Sequence, residues 1–245
     1  MSHNIHGILF DFGDTLMYPL APWPPVFEHA GSALGEYLCA RNIKIDCSTI
    51  PQEFRQRLDE YFVERERSMM ETTSMAVLQD LLVEKGFTNI TEEFLRAALD
   101  RYYAVTQQNW ALEQDAIPTL EDLKSAEFHL GLVSNASDSR DVFTLVDRFG
   151  IGQYFDFVLT SADCGYRKPH PRIFELALAN WGFLPDEIAM VGDRLDADIS
   201  GARPLGIYTI WVKRRARRLD PAVASPDAAV QFLSEIPPLL LELFK

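Results

Sequence analysis

The chain has 245 residues, 47% hydrophobic and 24% charged, enough apolar content for a real core in one large domain or in a core plus a second module. Its formal net charge of −13 argues against nucleic acid or an anionic membrane as the main partner. It leaves a phosphate substrate open, because a local metal and one lysine outweigh the global field. Cys39, Cys47 and Cys164 form no CxxC pair and no ligand-like spacing, so they read as reduced thiols. No basic-plus-apolar signal precedes Ile5, and no apolar run approaches the ~20 residues of a membrane span. The expected location is cytoplasmic.

Residues 5–11 read as a short apolar strand ending in Asp11, with a Gly-containing turn at once behind it. Pro19, Pro22, Pro24 and Pro25 then crowd around Trp23, and this segment reads as an irregular boundary. From Val26 to about Asn109 apolar residues recur at helical spacing. Gly86 stops one segment, and Thr91 caps another that carries Glu92 and Glu93 in its first turn. After about Gln114 the texture changes. Apolar runs at 130–133, 157–159, 188–191 and 207–212 read as strands, with helices near 138–149, 171–181 and 196–204 between them. This βαβα alternation predicts an α/β fold with a parallel, doubly wound sheet. The first strand lacks a nearby partner helix, so an all-helical insertion follows it. The expected boundaries are a core at 1–16 and 113–245 and a helical insert at 17–112.

Four chemistry-bearing features fall at predicted strand ends: Asp11; Ser134 with Asn135; Lys168; and Asp193 with Asp198. In a parallel sheet those ends face one crevice. Acids gathered there repel one another unless a cation sits among them, and oxygen-only ligands favour Mg2+. A hydroxyl and an ammonium beside such a cation suit a phosphoryl group. A carboxylate nucleophile needs no base, and its attack gives an aspartyl phosphate.

The order and neighbours of these features resemble the haloacid dehalogenase superfamily of hydrolases across the whole chain. Phe-Asp-Phe-Gly-Asp-Thr-Leu is similar to its first motif, Leu-Val-Ser-Asn to its second, Arg-Lys-Pro-His-Pro to its third and Val-Gly-Asp-Arg-Leu-Asp-Ala-Asp to its fourth. The resemblance implies a Rossmann-like core, a substrate-selecting α-helical cap, and Mg2+-dependent hydrolysis of a small phosphorylated metabolite. It makes Asp11 the nucleophile and a metal ligand, and assigns phosphoryl binding to Ser134, Asn135 and Lys168. The cation falls to Asp11, the Gly13 carbonyl, Asp193 and Asp198, with Asp198 alternatively orienting Lys168. Thr15 supports the turn. The expected assembly is a monomer or homodimer.

The departure is Gly13, where phosphatases of this kind carry a second aspartate that protonates the leaving oxygen. Such help is worth ~10²–10⁴-fold. A substrate with a good leaving group, an acid from the insert, or vestigial turnover each answers its loss. Asp14 is one residue out of register. His29 lies on the first helix of the insert and His170 between two prolines; both read as non-catalytic. Asp196 reads as a first-turn helix acid. Tyr18, Trp23 and Phe27 read either as pocket lining or as packing, and the basic run from Lys213 to Arg218 either as a solvated loop or as an attractor for an anionic substrate. The alternatives are 2-haloacid dehalogenase chemistry on Asp11, a phosphonatase using Lys44 or Lys85, and a non-catalytic phospholigand-binding protein.

Overall fold

A computed structural model describes residues 4–41, 48–216 and 224–243. In chain order it opens with β1 (Gly7–Phe10), β2 (Met17–Pro19), α1 (Trp23–Cys39), α2 (Ile50–Ser68), α3 (Ser74–Glu84) and α4 (Glu92–Gln108). There follow β3 (Trp110–Leu112), α5 (Ala116–Ser125), β4 (His129–Ser134), α6 (Ser139–Phe149), β5 (Phe157–Thr160), α7 (Ser161–Cys164) and α8 (Pro171–Ala179). β6 (Ile188–Gly192), α9 (Ser200–Ala202), β7 (Tyr208–Val212), β8 (Ala228–Val230) and α10 (Ile236–Leu243) complete it. The chain divides into two compact units, Met1–Tyr18 with Leu112–Lys245, and Pro19–Ala111. β2 and β3 pair at the two points where the chain passes from one unit to the other.

The first unit holds a six-stranded sheet in the order β5-β4-β1-β6-β7-β8, every neighbouring pair parallel. β1 and β6 are buried along their whole length, as strands covered on both faces must be, and accordingly read as unbroken apolar runs. The chain moves outward from β1 through β4 to β5, then returns to β6 on the other side of β1. The switch point of the sheet therefore lies between β1 and β6, where open α/β sheets bind ligands. Phe10 is in register with Leu132 and Val191, and the Asp11 N–H donates to the Val191 carbonyl at 2.9 Å, carrying the ladder one residue further.

The predicted helix at 196–204 is less regular than expected. A π-helical turn, Leu195–Ile199, leads into α9 and then a 3₁₀ turn at Arg203–Leu205. Sequence periodicity also missed β2, β3 and β8, each of three residues, too short for an alternation to show.

The second unit is α1–α4 around its own core of Leu34, Leu38, Ile50, Phe54, Leu78, Leu81 and Leu99. Thr91 accepts a hydrogen bond from the Phe94 N–H at 3.1 Å, and Gly86 follows α3 at φ 86°. The proline segment corrects one expectation. Helix α1 starts at Trp23, so Pro24 and Pro25 lie inside its first turn. A first turn leaves its N–H groups without helical partners, so prolines there cost no hydrogen bond. No helix among the described residues is long and apolar enough to cross a membrane.

Candidate active site

Every strand that delivers a site residue ends at the same edge of the first unit's sheet. β1 delivers Asp11, β4 delivers Ser134, and β6 delivers Asp193 through Gly192. Lys168 arrives from the segment between α7 and α8, fully buried. Its Nζ donates to Asp11 Oδ1 at 2.7 Å and to the Val133 carbonyl at 2.7 Å, and ion-pairs with Asp198 Oδ1 at 2.8 Å. Two ammonium protons are thus assigned to hydrogen bonds, while Asp198 Oδ1, buried and without a hydrogen bond among the described residues, meets the ammonium by charge alone. Burial opposes the charge on Lys168, but the carboxylates of Asp11 and Asp198 outweigh it and hold the amine above its ordinary range.

Thr15, also buried, donates to Asp11 Oδ2 at 3.1 Å, with Asp193 Oδ1 further off at 3.4 Å. Asp11 is therefore fixed at both oxygens, by Lys168 and by Thr15. Asp14 takes the turn's positive φ, 61°; Gly13 is not among the residues at positive φ.

Asp11, Asp193 and Asp198 bring carboxylate oxygens within 4.8 Å of one another, all buried. One ammonium cannot balance three such groups. Burial first, then the charges of Asp11, Asp198 and Asp14, push Asp193 up to about 9. Burial raises Asp198 to about 6, with Lys168 and the Arg194 N–H pulling the other way. A buried, oxygen-only donor set with excess negative charge fits a hard divalent cation.

Local backbone detail explains how Asp198 reaches this place. Its Oδ2 accepts from the Arg194 N–H at 3.0 Å. A Cβ at position 192 would stand 2.2 Å from Asp198 Oδ2, so only glycine lets the carboxylate lie across the end of β6. A Cβ at Gly201 would stand 2.8 Å from the Pro169 Cα, so α9 packs against the backbone that carries Lys168. The Asp193 carbonyl accepts from Trp211 Nε1 at 2.9 Å.

The sequence-predicted groups divide by what holds them. Ser134 is buried, and its hydroxyl makes no hydrogen bond among the described residues. Asn135, expected at the substrate, bonds the Lys168 backbone through both ends of its amide: Nδ2 donates to the Lys168 carbonyl at 2.9 Å and Oδ1 accepts from the Lys168 N–H at 2.8 Å. Its side chain holds the lysine. Asp198 likewise serves Lys168 and the Arg194 backbone. Asp196 pairs with Arg194 at 2.8 Å, and His170 caps α8, its Nδ1 accepting from the Arg172 N–H at 3.0 Å.

Within the described part of the basic run, Arg214 and Arg215 are paired rather than solvated, unlike the loop expected. Arg214 Nη1 lies 2.9 Å from Glu113 Oε2 and 3.1 Å from Asp115 Oδ1, and Arg215 Nε donates to Glu113 Oε1 at 2.7 Å. Glu113 is buried, and nothing in its sequence neighbourhood signals a partner 101 or 102 positions on. Arg217 and Arg218 lie outside the described residues, as do Lys44 and Cys47. Lys85 pairs with Glu53 at 2.5 Å. In the second unit Trp23 stacks on Phe27 at 5.1 Å, and its ring lies 4.9 Å from that of Trp110.

A doubly wound parallel sheet whose switch point gathers three carboxylates around one lysine defines an α/β protein with a carboxylate-based site. A family model described as haloacid dehalogenase-like hydrolase matches residues 5–206. The chain belongs to that family of hydrolases. It is 33% identical over 238 residues to a glyceraldehyde 3-phosphate phosphatase of Pyrococcus furiosus, covering 97% of this chain and 92% of that one. A glyceraldehyde 3-phosphate phosphatase of Methanopyrus kandleri is 29% identical over 98% of this chain and 97% of its own. A phosphoserine phosphatase of Thermus thermophilus is 36% identical over 130 residues, about half of each protein at 53% and 51%. Among solved structures, the 2-haloacid dehalogenase from Pseudomonas syringae pv. Tomato superposes with a TM-score of 0.67 at 25% identity, covering 97% and 99% of the two chains.

Proposed function

We propose that this chain is a Mg2+-dependent phosphatase that hydrolyses a small phosphorylated metabolite through an aspartyl phosphate on Asp11. The observation that carries the reading is Asp11 held between Lys168 and Thr15 beside two further buried carboxylates. The full-length relatives named as phosphatases support it.

In this reading an Asp11 oxygen attacks phosphorus, the ester oxygen leaves with the P–O bonding pair, and water then cleaves the acyl phosphate to restore the carboxylate. Lys168 keeps Asp11 in place, and the Ser134 hydroxyl donates to a phosphoryl oxygen. Asp11, Asp193 and the Gly13 carbonyl would hold Mg2+, with Asp198 in the same cluster. Bound there, Mg2+ supplies positive charge against the phosphoryl oxygens. The helical unit serves as the substrate-selecting cap. Gly13 provides no proton for the leaving oxygen, so the enzyme favours aryl, acyl or anomeric phosphates over alkyl esters.

A panel of phosphate esters, including p-nitrophenyl phosphate, phosphoserine and glyceraldehyde 3-phosphate, tests the reading. Turnover is expected with Mg2+, and is lost with EDTA and in Asp11→Asn. Halide release from 2-chloropropionate that tolerates EDTA assigns dehalogenase chemistry instead. Ligand binding without multiple turnover assigns a phospholigand-binding protein.

A further inference from the structure

Arg215 stands just behind β7, at the same sheet edge as the carboxylates. Its side chain is about one third exposed, at 35%. Two contacts fix it. Nε donates to Glu113 Oε1 at 2.7 Å, and the guanidinium carbon lies 4.1 Å from the centre of the Tyr18 ring. A guanidinium held by Nε and by one face has lost most of its freedom already. Yet Nη1 and Nη2 make no hydrogen bond among the described residues. The other oxygen of Glu113 ion-pairs with Arg214 Nη1 at 2.9 Å and takes no hydrogen bond from Arg215.

Its position past β7 puts it at the sheet edge where Asp11, Ser134 and Asp193 emerge, and neither of the two contacts that fix it is with them. The Glu113 hydrogen bond, followed by the fields of Glu113, Tyr18 and Asp14, holds its guanidinium above the ordinary arginine range despite burial. Asp14 also acts on Asp193, so one carboxylate lies within electrostatic reach of both Arg215 and the acid cluster. Tyr18, the ring under the guanidinium, is three residues past Thr15, whose hydroxyl bonds Asp11. Such an anchored fork, at the sheet edge that carries the cluster and outside the cluster itself, suits a group on the part of a substrate that does not react.

We propose that Arg215 is a specificity-determining residue that takes a carboxylate on the non-reacting part of the substrate. The fork matches a planar carboxylate through two parallel N–H···O bonds. Asp14 and Glu113 penalise every additional negative charge nearby, which favours a singly charged carboxylate over a second phosphate. This inference rests on the phosphatase reading, and its test separates the two.

The probes are 3-phosphoglycerate and glycerol 3-phosphate, which share the phosphoester and differ in the carboxylate. p-Nitrophenyl phosphate, with no carboxylate, monitors the phosphatase reading by itself. The ratio of kcat/KM between the first two esters is independent of the folded fraction, so a variant that merely loses stability leaves it unchanged. Arg215→Ala is expected to lower the ratio of 3-phosphoglycerate to glycerol 3-phosphate by about 10- to 100-fold, chiefly through KM. Arg215→Lys, which keeps the charge and loses the fork, falls between. A ratio within two-fold of the unsubstituted protein in Arg215→Ala overturns the assignment while p-nitrophenyl phosphate turnover leaves the phosphatase reading standing. Absence of any Asp11-dependent turnover overturns both.

Discussion

Asp193 carries the heaviest electrostatic load in the site. Its folded-state value of about 9 lies far above the ordinary 3.8, so the folded chain binds a proton there that the unfolded chain has released. The sign follows. Without a divalent cation, this group's contribution is complete below about pH 4 and is lost as pH rises toward about 9. The gain in Tm on adding Mg2+ should therefore grow between pH 5 and pH 9, as read by thermal melts. Asp193→Asn should raise the cation-free Tm at pH 8 and abolish that gain. Catalytic substitutions read differently. Asp11→Asn should cut turnover by roughly 10³-fold or more with the melt intact. Gly13→Asp should raise turnover of alkyl phosphates by up to about 10²-fold and of aryl phosphates far less, because only the poor leaving group needs the proton. Equal gains on both classes would remove the leaving-group argument. The identities of these residues stood out in the sequence because each followed an apolar run. Asn135 was visible too, but its bonds to Lys168 were not, since they join positions 33 residues apart.

At the scale of elements, the joint between β6 and the π-helical turn depends on one missing atom. Gly192→Ala drives a Cβ to 2.2 Å from Asp198 Oδ2. The strand is buried throughout, and the carboxylate is hydrogen-bonded at Oδ2 and ion-paired to Lys168 at Oδ1, so neither yields easily. A loss of about 1–3 kcal/mol is expected in urea unfolding, with lower turnover as Lys168 is displaced. The long strands and the capped helices were legible because their signals are local: an apolar run, a threonine cap, a stopping glycine. The three-residue strands were not. β8 exists because Val212 and Val230 lie in register and the Lys213 N–H donates to the Val230 carbonyl at 2.9 Å, pairings that a tripeptide cannot advertise. The start of α1 misled for a related reason: two prolines look like a break until their place in the first turn is known.

At the scale of the whole molecule, each unit has a hydrophobic core of its own. Leu81→Ala in the helical core should cost about 2–5 kcal/mol there, and calorimetry should show the loss confined to one transition while the Mg2+-dependent gain persists. A single transition shifting as one would show that the two cores unfold together. The amino-acid order by itself determined the parallel α/β class and the family, because strand-ending residues and helical periods are written in short stretches. Tertiary structure alone decided that β1 and β6 flank the switch point. It also brought the Lys168 ammonium onto Asp11, Val133 and Asp198, and folded Arg214 and Arg215 onto Glu113. The physical reason is range. Hydrophobic period and capping act over a few residues, whereas the balance of buried charge is struck between groups that only the folded sheet brings together.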